Sequence, residues 1–208
     1  MTDPTETTEA APTTGLPAVT QAAPADHAPV WQAVPDAADR AERLARMIRV
    51  DHAGEYGATR IYAGQLAVLG QGPKGEILRH MLAQEEVHRA KFEVLITRRR
   101  VRPTALLPFW HVAGFALGAV TARLGERAAM ACTVAVEEAI DEHYAAQAAE
   151  LGEDEADLRG TIETFRAEEL EHRDIGLAHE AEQTPGYRLL YGLIRTGCRV
   201  AIALSERV

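Results

Sequence analysis

At 208 residues with a net charge of −9, the chain is long enough to bury one sizeable core and too acidic to suit nucleic acid as a partner. Aromatic residues make up only 5% while alanine and other helix formers abound, which points to an all-α protein. Cys132 and Cys198, both in apolar surroundings, give no disulfide framework and suit a reducing compartment.

Residues 1–34 are a tail of Ala, Pro, Thr and acids without an apolar period, expected to be disordered, which leaves 35–208 as one domain. The tail has no apolar h-region. Its early acids Asp3, Glu6 and Glu9 are unlike an Arg-rich presequence, so a bacterial cytosolic protein is expected. A helix is then expected from an N-cap at Asp36 to the breakers Gly70-Gln71-Gly72-Pro73, with Ile48, Asp51, Glu55, Thr59, Tyr62 and Leu66 on its inward line. A second covers about 74–98 and ends in Arg98-Arg99-Arg100, which complement the helix C-terminus or meet phospholipid.

From Pro103 to Ala122 there is no Asp, Glu, Lys or Arg. A run of about twenty residues has the length of a bilayer span, but Pro108, Gly114 and Gly118 interrupt it. Three readings stay open here: a membrane span, a buried crossover, and a helix lying at a membrane interface. Phe109, Trp110 and Phe115 favour the interface in so aromatic-poor a chain. A third helix is expected over about 126–150 and a fourth over about 154–182. In the last segment, Arg188, Arg195 and Arg199 share one line of a helix, with Leu190, Ile194, Gly197, Ala201 and Leu204 opposite. Those arginines either pair with the protein's own acids or rest on anionic lipid.

The chemistry lies in Glu169-x-x-His172, where three residues of helix turn a carboxylate and an imidazole to one side. Their stripe is otherwise apolar, and a metal ion compensates the burial of such groups. A second copy, Glu85-x-x-His88, lies on a stripe with Leu78, Met81 and Phe92. Each copy follows a lone inward glutamate, Glu55 by 30 residues and Glu137 by 32, and each lone glutamate has a tyrosine at i+7, Tyr62 and Tyr144. Two like hairpins thus supply four carboxylates and two imidazoles, the ligand set of a di-iron or di-manganese site in a ferritin-like four-helix bundle.

The long crossover between the hairpins makes the first and third helices antiparallel. That brings Asp51 level with Asp141 beside the metals, and Thr59 level with Thr133 on the other side. Asp51, Asp141 and Glu168 are the expected acceptors of the imidazoles' second N–H. Gly176 stands at i+7 from Glu169 where the other hairpin has Phe92, which leaves room beside the metals or marks a close helix contact. The ligands alone suit iron storage, peroxide handling or oxygen insertion.

The runs Ile48-Arg-Val-Asp-His-Ala-Gly-Glu-Tyr-Gly57, Met130-Ala-Cys-Thr-Val-Ala-Val-Glu-Glu138 and Glu168-Glu-Leu-Glu-His-Arg-Asp-Ile-Gly176 resemble the demethoxyubiquinone hydroxylases. So do Arg102-Pro-Thr and the ending Gly197-Cys-Arg-Val-Ala-Ile-Ala-Leu-Ser-Glu-Arg207; the likeness covers about residues 47–208. It implies two iron ions held by Glu55, Glu85, His88, Glu137, Glu169 and His172, the six already selected by spacing, with Glu85 and Glu169 as bridges. It also implies that His143 and Tyr144 help pass electrons from NADH toward the irons, although His143 is about 120° around the helix from Glu137. The implied reaction hydroxylates the ring of demethoxyubiquinone with O2, in ubiquinone biosynthesis. The implied architecture is a ferritin-like four-helix bundle with an apolar crossover helix and a C-terminal amphipathic helix. Expected partners are a polyprenyl quinone, an anionic membrane surface on the inner face of the bacterial cell membrane, and other ubiquinone-biosynthesis proteins; homo-oligomerisation stays open.

Overall fold

The structure is a computed structural model and describes residues 37–208; the expected tail and the cap at Asp36 lie outside the described residues. Six α-helices follow in order, with no strand among the described residues: α1 (Ala37–Leu69), α2 (Gly75–Arg99), α3 (Leu107–Arg123), α4 (Glu126–Glu150), α5 (Ala156–Ala178) and α6 (Tyr187–Ser205). The first break falls where Gly70 and Pro73 end the helical pattern. A Cβ at Gly75 would stand 2.3 Å from the Gly70 carbonyl oxygen, so only glycine lets α2 start this close to the end of α1. At its far end α2 stops on Arg100, whose left-handed backbone lets its N–H return to the carbonyls of Ile96 and Thr97. Arg99 makes a two-pronged bond to Glu155 at 2.6 and 2.9 Å, which fixes the bottom of α2 against the entry to α5.

The bundle consists of two three-helix units of one design. In each, a hairpin is followed by a helix that packs back on the hairpin's first member, α3 on α1 and α6 on α4. Helices α1 and α4 run antiparallel, since Asp51 meets Gln147 while Gln65 meets Ala129 fourteen residues further along α1. Their inward stripes are buried, including Ile48, Tyr62, Met130, Val134 and Tyr144. Cys132 and Cys198 are both free thiols.

For the apolar crossover the structure chooses a packed helix. A Cβ at Gly118 would lie 1.9 Å from the Ile61 carbonyl oxygen, and one at Gly114 would lie 2.9 Å from that of Gly57. On α1, Gly64 answers in kind, with the Phe115 carbonyl 2.2 Å from where its Cβ would be. These glycines bring the two backbones into contact, and no described helix is long and apolar enough to cross a membrane. The other side of α3 nevertheless leaves Phe109, Val112 and Val120 exposed.

Helix α6 also has two characters. Arg195 and Arg199 both reach Glu142 of α4, and Arg195 also lies 3.6 Å from Glu138. Pairing within the protein is therefore what these two arginines do. Ile194 is buried and Leu190 half-buried, while Leu189, Leu193, Val200 and Leu204 stand in the open.

Candidate metal centre

Four helices each turn one carboxylate to the bundle axis: Glu55 from α1, Glu85 from α2, Glu137 from α4 and Glu169 from α5, each no more than 1% exposed. His88 and His172 follow one turn after Glu85 and Glu169 and are equally buried. The structure brings all six together as two overlapping groups. Glu55, Glu85, His88 and Glu169 present ligand atoms within 4.8 Å of one another, and so do Glu85, Glu137, Glu169 and His172. Glu85 and Glu169 belong to both groups, the position a bridging carboxylate must occupy.

Both imidazoles turn Nδ1 to the cluster. His88 Nδ1 is 3.1 Å from Glu169 and 3.5 Å from Glu55; His172 Nδ1 is 3.1 Å from Glu85. Their Nε2 atoms point outward, His88 to Glu168 at 2.5 Å and His172 to Gln84 at 3.0 Å. These acceptors are related by the repeat, each standing one residue before its own hairpin's shared glutamate and binding the histidine of the other hairpin. Glu168 fills the role expected of it. Asp51 and Asp141 do not: Asp51 meets Gln147 and His143, and Asp141 accepts from Arg166 at 2.6 Å. Spacing places a residue on a face but not the rotamer, and both acids have a closer cationic or amide partner. Gln84 carries no charge to mark it in the sequence, although its place before Glu85 mirrors Glu168 before Glu169. Thr59 and Thr133 are both buried but bond elsewhere, Thr59 to the Tyr56 carbonyl and Thr133 near Gln65.

The tyrosines repeat the crosswise pattern. Tyr62 donates to Glu137 at 2.6 Å and Tyr144 donates to Glu55, each holding the lone glutamate of the other hairpin. Beside Tyr144, His143 is partly exposed and its Nε2 lies 2.8 Å from the Gln147 side-chain nitrogen. Gly176 is a close helix contact: its Cβ would meet Val134 at 2.8 Å, so no room opens beside the cluster there.

Burial drives the electrostatics. It pushes Glu85 and Glu137 well above the usual carboxylate range, and the neighbouring carboxylates push the same way, Glu169 foremost. Glu55 rises by burial too, against the pull of the nearby His88 imidazole. Burial would also raise Glu169, but the His172 and His88 imidazoles beside it hold it down at about 2. Burial would lower His88, yet Glu169 and Glu55 raise it to about 11. Four carboxylates at such range cannot all ionise without added positive charge. Both oxygens of Glu85, one each on Glu55, Glu137 and Glu169, and Nδ1 of His172 make no aligned hydrogen bond. Buried donor atoms left open toward one point, oxygen-rich and without thiolate, fit a pair of iron or manganese ions.

On the α3 and α6 side of α1 and α4 lies an apolar cavity of about 490 Å³. Its wall includes Gly54 beside Glu55 and Val136 beside Glu137, with Trp110 and Leu117 of α3 and Leu193 and Gly197 of α6.

The family model described as Ubiquinone biosynthesis protein COQ7 matches residues 42–205. The chain is 63% identical over 164 residues to a 3-demethoxyubiquinol 3-hydroxylase of Rhodospirillum rubrum, covering 78% of this chain and 77% of the relative. It is 57% identical over 167 residues to the mitochondrial NADPH-dependent 3-demethoxyubiquinone 3-hydroxylase of Homo sapiens, covering 78% and 77%. To the mitochondrial 5-demethoxyubiquinone hydroxylase of Saccharomyces cerevisiae it is 41% identical over 200 residues, covering 88% and 85%. The match runs through all four helices that carry the buried cluster, and the chain belongs to the COQ7 family of ubiquinone biosynthesis proteins.

Proposed function

We propose that this chain is a di-iron monooxygenase that hydroxylates the ring of demethoxyubiquinone in ubiquinone biosynthesis, drawing electrons from NADH. The observation that carries the reading is the pair of buried ligand groups sharing Glu85 and Glu169. Iron bound there would supply the activation of dioxygen. Glu55 and His88 would hold one ion, Glu137 and His172 the other. Glu168 and Gln84 keep each imidazole turned inward by accepting its Nε2–H. Tyr62 and Tyr144 hold Glu137 and Glu55 in place. His143 and Tyr144 pass electrons inward; support for this is their position, a partly exposed ring next to a buried phenol bonded to Glu55. The names of the relatives reported above favour this reading over iron storage.

The apolar cavity takes the proximal part of the polyprenyl tail, which puts the quinone ring toward the cluster. The exposed apolar faces of α3 and α6 lie on the cavity's side and dock the bundle peripherally on the inner face of the cell membrane, where other proteins of the pathway meet it. Magnitudes assign this docking to apolar burial. Each Leu, Val or Phe taken out of water contributes about 1.5 kcal/mol or more, against about 1 kcal/mol for a basic residue near anionic lipid. Arg195 and Arg199 are moreover already paired with Glu142.

Cells lacking the protein are expected to accumulate demethoxyubiquinone at the expense of ubiquinone, read by mass spectrometry of extracted quinones. The protein purified without oxygen is expected to hold two irons per chain and to lose iron and activity together in Glu169→Ala or His172→Ala. Full activity in either variant would end the di-iron reading. The human relative's name specifies NADPH, so turnover with each nucleotide decides the donor here.

A further inference from the structure

We propose that Asp51 and Gln147 are a positioning pair that locks neutral His143 with its proton on Nδ1, making this histidine a hydrogen-bond donor and not an Nε2 base. Three atoms form a small triangle between α1 and α4. The Gln147 side-chain nitrogen is 2.8 Å from Asp51 Oδ1 and 2.8 Å from His143 Nε2, while the direct line from His143 Nε2 to Asp51 is 3.4 Å. Asp51 and Gln147 are 3% and 4% exposed, so water does not compete freely for either.

A carboxylate can only accept, so the amide edge that faces Asp51 must be the NH2 and not the carbonyl. That NH2 has two hydrogens. One goes to Asp51 and the other points at His143 Nε2, which must then offer its lone pair. In a neutral imidazole the proton therefore sits on Nδ1. The competing arrangement, a charged imidazole bonded straight to Asp51, would use the longest side of the triangle and set two N–H donors against each other at 2.8 Å.

The significance for turnover rests on the proposed relay through His143 and Tyr144; the assignment of the nitrogens does not. A histidine with Nε2 occupied in this way cannot take up a proton there without breaking its bond to Gln147. What it retains is an Nδ1–H for an acceptor.

Neutron diffraction from the iron-loaded protein exchanged into heavy water tests the assignment directly. The expected result is a deuteron on His143 Nδ1, none on Nε2, and the two Gln147 amide deuterons aimed at Asp51 and His143. A deuteron on Nε2 of the wild type would overturn the proposal. In Gln147→Met, which keeps length and apolar volume, Nε2 is expected to regain a deuteron. NADH-driven turnover is expected to fall several-fold, with iron content and KM for quinone unchanged. Asp51→Asn, which can present either amide edge to Gln147, is expected to give a mixture of the two tautomers. A histidine still protonated only on Nδ1 in both variants would remove the pair from this role. Full NADH turnover in His143→Leu would instead overturn the relay, and the nitrogen assignment would still be decided by diffraction.

Discussion

At the scale of single residues, the cluster is held by crosswise bonds between the two hairpins. Glu168 and Gln84 each receive the outer N–H of the opposite hairpin's histidine. Replacing either by Ala is expected to weaken iron binding about 10- to 100-fold while leaving the six cluster residues in place, read by competition with a chelator. Unchanged affinity would show that the imidazoles need no outer acceptor. The same residues set a pH dependence for the metal-free protein. Glu85 and Glu137 have folded pKa values raised above their unfolded ones, first by burial. Their contribution to stability is present below the usual carboxylate range and is lost as pH rises through the raised values. His88, raised to about 11, acts in the same sense: its share is present below about 6.5 and is lost as pH climbs toward 11. Glu169, held at about 2, works oppositely but only below the usual carboxylate range, where its share is lost as pH falls. Metal-free protein is therefore expected to melt at a lower temperature at pH 9 than at pH 6 by calorimetry, and metal affinity to rise over the same interval because ions displace those protons. A metal-free melting point that climbs with pH would contradict the burial of ionisable groups described here.

At the scale of elements, α3 and α6 each do two jobs with two faces. On α3 the job toward α1 depends on glycine. Gly118→Ala places a methyl 1.9 Å from the Ile61 carbonyl, which is backbone and cannot swing away, so the helix must shift as a whole. A loss of about 1–3 kcal/mol by denaturant unfolding is expected. On α6 the outward face and the arginine edge should behave differently. Leu193→Glu with Val200→Glu is expected to abolish binding to vesicles while the fold persists. Wild-type binding is expected to survive high salt, because it rests on apolar burial and not on charge. Charge reversal at Arg195 is expected to loosen α6 from Glu142 and Glu138 instead, seen as a lower melting temperature. Vesicle binding lost in high salt would return the arginines to a lipid role.

At the scale of the whole molecule, the repeat of hairpin plus packing helix separates two environments. On one side α2 and α5 bring the Glu-x-x-His pairs to the axis; on the other, α3 and α6 flank an apolar cavity beside α1 and α4. Gly54, Gly57 and Gly197 line that cavity, and a Cβ at any of them would meet nothing within 4 Å. Their missing side chains are the cavity's bore. Gly57→Leu is therefore expected to raise KM for a long-chain demethoxyquinone at least several-fold while sparing a short-chain analogue, with iron content unchanged. Equal effects on both quinones would place the tail elsewhere.

Much of this was legible in the residue order, and for a physical reason. A helix's 3.6-residue period is a local property, so Glu85 and His88, or Glu169 and His172, share a face in any fold that keeps the helix. Repetition at nearly equal separation points to two like hairpins, and the six residues of the buried cluster and the long helices follow from such counting. What spacing cannot carry is the partner of a side chain that reaches across between helices. Asp51 turned to Gln147 and His143, Asp141 to Arg166, and Gln84 to His172 because rotamers are settled by what stands opposite. Gly176 opposite Phe92 suits an opening or a close helix contact equally, and Val134 packed against it decides for the contact. The same holds for Arg195 and Arg199, whose charge suits lipid or carboxylate equally. Only the packing of α6 on α4 put Glu142 within their reach, since a charge's partner depends on the distance between helices and not on its position along one.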